Sequence, residues 1–239
     1  MSDLRRFFVD KITEPLIIEG EEFRHAVNVL RIKEQDKILV CDNSGYEYTC
    51  VVEKINKKDL EISVECKSLS QTEPKNKVML IFGYLKGDKS ELVVQKAVEL
   101  GITEIVVFNS KYCSAYMNEN KLSRLNKVSM EASKQCGRAI SPKVVYADTF
   151  EEALNLGSQY KNKLFACEFA EKNQVDFNRL CGSTAVVIGS EGGFSKEESE
   201  LASEKGYQTV YLGKRILRAE TASIALCSII MHSLKEFEN

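Results

Sequence analysis

Short apolar–polar alternations fill the first part of the chain: Arg6–Val9, Lys37–Cys41, Tyr46–Lys54 and Leu60–Cys66. The stretches Asp42-Asn43-Ser44-Gly45 and Asn56-Lys57-Lys58-Asp59 divide them. A period of two marks strands with one buried face, and clusters of Gly, Asn and Asp mark reversals between them. One segment breaks the pattern. Across Gly20–Arg31, Phe23, Ala26, Val27 and Leu30 recur at i, i+3, i+4 and i+7, which predicts a helix with one apolar stripe. The same spacing sends Arg24, Asn28 and Arg31 to the other side, with His25 near them. Residues 1–70 are therefore expected to form a small, mostly β barrel with one inserted helix. The polar, proline-containing Ser68–Lys77 reads as a linker.

Over residues 71–239 the pattern becomes strand, then helix, repeatedly. Val78–Tyr84 is a continuous apolar run, as a strand buried on both faces requires. Helix Lys89–Leu100 follows, with Asp88 as N-cap, Glu91 three residues on and Gly101 at its end. The alternation continues through strand Ile105–Phe108, helix Lys121–Cys136, strand Lys143–Tyr146, and helix Phe150–Leu156 capped by Thr149 with Glu152. Strands Leu164–Cys167 and Ala185–Ile188, helix Lys196–Lys205, strand Thr209–Leu212 and helix Thr221–Phe237 complete it. This order predicts an α/β domain with a mainly parallel sheet and helices on both faces.

Composition changes this picture little. Hydrophobic residues make up 44% and charged residues 28% of 239 residues, the balance of a globular protein with a real core. The apolar-rich run Ala222–Met231 is broken by Ser223, Cys227 and Ser228 and falls short of the ~20 residues of a membrane helix. No apolar stretch follows the charges of the N-terminal residues, so no signal peptide and a cytoplasmic location are expected. The eight cysteines form no C-x-x-C pair, and His25 and His232 stand alone, so no metal site is expected. The cysteines read as small buried residues of a reducing compartment. A net charge of −2 decides nothing about nucleic acid, because phosphate contact depends on local clusters. Arg5-Arg6, Arg24 with Arg31, Lys86 with Lys89, and Arg215 with Arg218 are such clusters.

Two strand-end segments look unlike ordinary connections. In a parallel α/β sheet, ligands bind at loops leaving the carboxyl ends of strands. Ile188-Gly189-Ser190-Glu191-Gly192-Gly193-Phe194 holds three glycines and enters a helix at Ser195, where Glu198 completes a capping box. It is either a tight strand–helix turn or a close approach to a ligand. A phosphate-binding reading is weaker, since G-x-x-x-x-G-K-[ST] and G-x-G-x-x-G are absent and Glu191 would repel an anion. Leu212-Gly213-Lys214-Arg215-Ile216-Leu217-Arg218-Ala219-Glu220-Thr221-Ala222 sets two arginines around an apolar pair and opens the last helix. Glu220 suits the helix dipole there. Ile216-Leu217 could wall a flat apolar ligand such as adenine or plug the core.

Motifs along nearly the whole chain resemble those of the RsmE family, the 16S rRNA (uracil-N3)-methyltransferases of the SPOUT superfamily. They are Arg6-Phe7-Phe8-Val9, His25-x-x-x-Val29-Leu30-Arg31, Lys86-Gly87-Asp88-Lys89 with Glu91, and Gln95-Lys96-Ala97-x-Glu99-Leu100-Gly101. Gln135-x-x-Arg138 ahead of Pro142, Gly189–Ser195 and Leu212-Gly213-x-Arg215-Ile216-Leu217-Arg218-x-Glu220-Thr221-Ala222 follow. The resemblance implies a PUA-like RNA-binding β-barrel over residues 1–70 and a trefoil-knotted α/β domain over 71–239. Periodicity alone gives a plain doubly wound sheet, because true knots are rare. The resemblance also implies a homodimer and S-adenosylmethionine held by knot loops. Transferred here, the cofactor residues are Ala166, Glu168, Ile188, Gly189, Glu191, Gly192, Gly193, Leu212, Gly213, Ile216, Leu217, Arg218, Thr221 and Ala222. The chain departs from the family at Ser190, where proline is usual, and at Lys134, where an acidic residue is frequent.

The reaction so implied joins a methyl group to N3 of a specific uridine in 16S rRNA of the small ribosomal subunit. Uracil N3–H is a weak acid, so positive charge or a base at N3 lowers the barrier. Arg138 and Arg218 are the candidates for stabilising the uracil anion, and Glu191 is a candidate base whose commoner role is a cap or backbone clamp. Arg6, Arg24, His25, Arg31, Lys86 and Lys89 are the candidate RNA contacts. The main rival is a non-catalytic RNA-binding assembly factor with a vestigial cofactor site. A Rossmann-type enzyme would carry its glycine motif after the first strand, where Phe82-Gly83-Tyr84-Leu85-Lys86-Gly87 lacks it.

Overall fold

In the computed structural model, which describes residues 4–167 and 175–238, the early alternating segments form one five-stranded sheet. Its strands are β1 (Arg6–Phe8), β2 (Leu16–Glu19), β3 (Lys37–Cys41), β4 (Tyr46–Ile55) and β5 (Asp59–Leu69), in the order β1-β3-β4-β5-β2. The sheet does not close on itself among the described residues, so the expected barrel is an open half-barrel. β2 was not expected. Its Leu16 and Ile18 are buried while Ile17 and Glu19 are exposed, a period of two too short to stand out in the sequence. β5 runs on to Leu69, with Ser68 opposite Glu47 and Leu69 opposite Tyr46, so the first residues of the expected linker are strand.

The predicted helix begins as α1 (Gly20–Arg24) and widens into a π-helical turn over His25–Val29. The Leu30 N–H donates to the His25 carbonyl at 3.0 Å, and Arg31 leaves the helix with a left-handed φ of 55°. Ala26 is nonetheless buried, with Phe23, Val27 and Leu30 packed against the same core as Phe7, Ile18 and Val40. The stripe was legible and the irregular turn was not.

The second part forms a six-stranded, wholly parallel sheet. In chain order its elements are β6 (Val78–Gly83), α2 (Lys89–Glu99), β7 (Glu104–Phe108), α3 (Glu119–Cys136), β8 (Val144–Ala147), α4 (Phe150–Leu156), β9 (Asn162–Ala166), β10 (Thr184–Ile188), α5 (Lys196–Glu204), β11 (Gln208–Val210) and α6 (Ala219–Ser233). A short 3-10 turn, Phe177–Arg179, precedes β10. The sheet order is β11-β9-β10-β6-β7-β8. All six residues of β6 are buried, as its apolar run requires. Thr149 caps α4 as predicted, accepting from the Glu152 N–H at 3.0 Å. Asp88 holds the N-cap position of α2 but makes no capping bond with its side chain.

The chain divides into two compact units: Met1–Glu73 with Ser133–Ser141, and Pro74–Ala132 with Pro142–Asn239. The expected single cut after residue 70 omits the return of Ser133–Ser141 to the first unit. Within that unit Glu73 explains the return. Its carboxylate accepts from the backbone N–H groups of Ala139 and Ile140 at 2.8 and 2.9 Å and from the Arg138 guanidinium.

Among the described residues no helix is long and apolar enough to cross a membrane, and no cluster of His, Cys, Asp or Glu could hold a metal. All eight cysteines are free; five are buried, and Cys66 and Cys181 are exposed.

Candidate cofactor and RNA site

Three neighbouring strands end together. The register pairs Ala166 of β9 with Ile188 of β10 on one side and with Val210 of β11 on the other, so their carboxyl ends share one rung. All three residues line a cavity of about 450 Å³, and the loops leaving these strands complete its walls. That volume lies within the roughly 300–1,000 Å³ of small-molecule sites.

The glycine-rich loop is a built turn. The Gly193 N–H donates to the Ser190 carbonyl at 3.0 Å, and Gly193 has a φ of 67° that a β-carbon would strain. At Gly192 a β-carbon would stand 2.5 Å from Cβ of Tyr112 and 2.8 Å from its carbonyl oxygen, so only glycine fits. Phe194 anchors the far end, with ring centroids 4.4 Å from Phe165 and 5.5 Å from Phe150. Burying such a ring stabilises by about 1.5–3 kcal/mol, enough to hold the turn against the core. The predicted capping box then starts α5: Ser195 Oγ accepts from the Glu198 N–H, and Glu198 accepts from the Ser195 N–H.

Glu191 is held as a carboxylate. Partial burial would raise its pKa, but bonds from the backbone N–H of Lys86 at 3.0 Å, from its own N–H and from Lys89 Nζ at 3.3 Å bring it below the ordinary value. Lys89 also lies 3.9 Å from Glu220 at the start of α6. The other oxygen of Glu220, Oε2, is buried with no hydrogen-bond partner among the described residues.

Of the predicted cofactor residues, Ala166, Ile188, Gly189, Glu191, Gly193, Leu212, Gly213, Ile216, Leu217, Arg218 and Ala222 line the cavity, whereas Gly192 and Thr221 do not. Glu168 lies outside the described residues. The cavity adds Val210 and Tyr211, which fall outside both predicted segments. The rule that strand carboxyl ends carry the site pointed to them, but β11 stops two residues before the predicted end at Leu212.

The charged residues separate by partner. Arg215 and Arg218 line the cavity and are exposed, and their side chains have no ion-pair or hydrogen-bond partner among the described residues. Arg138, expected to act with Arg218, belongs to the first unit, where its side chain is 4% exposed and pairs with Glu73 at 2.9 Å. Its charge is already neutralised by that carboxylate, and Arg138 is not among the residues that line the cavity. Lys134 pairs with Glu22 at 2.6 Å in the same unit.

Among the predicted RNA contacts, Arg6 is paired with Glu47 at 2.9 Å and bonded to Cys41 Sγ at 3.0 Å, and Lys89 is tied to Glu191. His25 is half-buried, whereas Arg24, Arg31 and Lys86 are exposed.

Comparison with known proteins agrees with this architecture. The model of an RNA methyltransferase domain matches residues 72–231, and that of an RNA methyltransferase PUA domain matches residues 18–65. The chain is 35% identical to ribosomal RNA small subunit methyltransferase E of Mesomycoplasma hyopneumoniae, over 92% of this chain and 96% of the relative. A solved ribosomal RNA small subunit methyltransferase E from Neisseria gonorrhoeae, bound to S-adenosyl methionine, is 27% identical with a TM-score of 0.86, covering 97% of this chain and 98% of that one. A putative methyltransferase from Legionella pneumophila with bound SAM is 25% identical with a TM-score of 0.87, covering 96% and 98%. The first unit accordingly carries an RNA methyltransferase PUA domain and the second an RNA methyltransferase α/β domain with the fold of these solved structures. The chain belongs to the RNA methyltransferase family that includes the ribosomal RNA small subunit methyltransferase E proteins.

Proposed function

We propose that this chain transfers a methyl group from S-adenosylmethionine to N3 of a specific uridine in 16S rRNA of the small ribosomal subunit. It does so as a homodimer in the cytoplasm. The observation that carries the reading is the cavity at the shared ends of β9, β10 and β11, with two arginines on its wall whose side chains have no partner among the described residues. The donor set fits a nucleoside-like cofactor. Ile188, Leu212, Ile216 and Leu217 offer apolar surface to a flat ring, and the backbone around Gly189, Gly193 and Gly213 permits close approach. Bound there, S-adenosylmethionine would supply an electrophilic methyl group on its sulfonium.

The chain's own residues hold and polarise the acceptor. Arg218 places positive charge where the uracil anion develops as the N3 proton leaves, and its permanent charge makes it a stabiliser and not a base. Glu191 clamps the glycine loop to Lys86 and Lys89. With its pKa depressed it is a weak proton acceptor near neutral pH. Arg24, Arg31 and Lys86, exposed and cationic, suit contacts with RNA phosphates. A non-catalytic binding role would leave the cavity and its arginines without a purpose.

The test is to incubate small ribosomal subunits lacking the modification with the protein and methyl-labelled S-adenosylmethionine, then digest the rRNA for mass spectrometry. Labelled N3-methyluridine is expected, and subunit affinity should fall as salt rises. Label at another atom, or none, would refute the assignment.

A further inference from the structure

The glycine-rich loop is fastened by a buried chain of hydrogen bonds that crosses three strands. The register sets Ile188 of β10 beside Phe82 of β6, and Phe82 beside Val107 of β7, so these strands also run out together. Just beyond their ends lie Ser190, Tyr84, Ser110 and Cys113, all buried. Ser190 Oγ and Ser110 Oγ are 2.8 Å apart. Ser110 Oγ is 3.3 Å from Cys113 Sγ, which also accepts from the Ser110 N–H at 3.2 Å. Cys113 Sγ is 3.4 Å from the Tyr84 carbonyl.

The far end of the chain fixes its direction. A carbonyl oxygen only accepts, so the Cys113 thiol donates to Tyr84. The sulfur is then free to accept from Ser110, whose hydroxyl proton points to it, and Ser110 Oγ in turn accepts from Ser190. Every polar hydrogen in the relay is satisfied in this one arrangement. Ser110 is the middle link, and among the described residues it is the hydrogen-bond partner of Ser190 Oγ. The backbone beneath is equally close: a β-carbon on Gly83 would stand 2.6 Å from the Ser190 backbone nitrogen. Ser190 itself lines the cavity.

We infer that Ser190, Ser110 and Cys113 are positioning residues whose relay to the Tyr84 carbonyl holds the glycine-rich loop in its cofactor-binding geometry. This rests on the reading of the cavity as the S-adenosylmethionine site. Loss of the middle link leaves the buried Ser190 hydroxyl unpaired, so the loop shifts to find it a partner.

Calorimetric titration of the full chain with S-adenosylmethionine tests it. Ser110→Ala should bind roughly 5- to 10-fold more weakly than the parent chain, the effect of one lost buried hydrogen bond. Ser190→Ala should lose less, because Ser110 keeps Cys113, and the double variant should bind no more weakly than Ser110→Ala. Cys113→Ser, which keeps a donor, should retain the affinity that Cys113→Val loses. Tyr160→Phe is the control, since it breaks a bond to Glu104 in the same unit but away from the cavity. Its thermal midpoint should fall without loss of affinity. Unchanged binding by Ser110→Ala, or an equal loss in Tyr160→Phe, would overturn the relay while leaving the cofactor site standing. If the parent chain itself fails to bind S-adenosylmethionine, the functional reading fails and the inference falls with it.

Discussion

Arg138 and Arg218 look alike in the sequence, each followed by alanine and each part of a family-like motif. The folded chain uses them in opposite ways. In the first unit Arg138 is buried and turned onto Glu73, which also gathers the backbone of Ala139 and Ile140. In the second unit Arg218 precedes α6, is exposed, and has the cavity before it. A guanidinium keeps its charge in both settings, so its role follows from what already neutralises it. We propose that the paired arginine supports the fold, and that Arg218, whose side chain has no partner among the described residues, acts on a ligand.

The comparison breaks most readily at Arg138. Arg138→Ala removes a buried guanidinium from the half-buried Glu73 and should lower unfolding stability by about 3 kcal/mol, read from denaturant curves. A stable variant that has lost methyl transfer would reverse the assignment and return Arg138 to the chemistry. Arg218→Ala should do the opposite. It should unfold like the parent chain and lose about 100-fold in single-turnover methylation, the scale of one charge-stabilising group. An unaltered rate would remove Arg218 from the mechanism.

A smaller effect probes the glycine-rich turn beside the cavity. Gly192→Ala forces a β-carbon against Tyr112, and S-adenosylmethionine affinity should fall about tenfold as the turn is displaced, at a cost near 1.4 kcal/mol. Unchanged affinity would mean that Tyr112 yields and the turn does not. The smallest effect is the pH response of Glu191. Its folded pKa lies below the ordinary 4.5, so its stabilising bonds are present above that value and are lost as pH falls through the lower folded value. Cofactor affinity should therefore stay level from about pH 6 to about pH 8 as far as Glu191 is concerned. A Glu191-dependent rise across neutral pH, absent in Glu191→Gln, would make it the base and not a clamp.

Much of the second unit was legible because its signals are local. The apolar run of β6, the Thr149 cap and the Ser195–Glu198 capping box each lie within a few residues and are decided by neighbours along the chain. The two segments with unusual glycine and arginine content could be singled out for the same reason. What failed depended on distant partners. Short β2 gains its identity only by pairing with β5. The π-helical turn at His25–Val29 arises where Ala26 must still reach the core. The expected linker does hold the boundary between the units, after Glu73, but its first residues are drawn into β5.

The sequence by itself determined the half-β, half-α/β organisation, the strand-end loops and, through ordered motifs, the family. Periodicity and caps record a choice between helix and strand at each place. Tertiary structure alone decided which arginine is spent on a carboxylate, that Ala166, Ile188 and Val210 share a rung, and that Ser190 reaches Cys113 through Ser110. The physical reason is common to all three. Charge neutralisation, strand register and buried hydrogen-bond satisfaction are set between residues that the chain brings together only when folded.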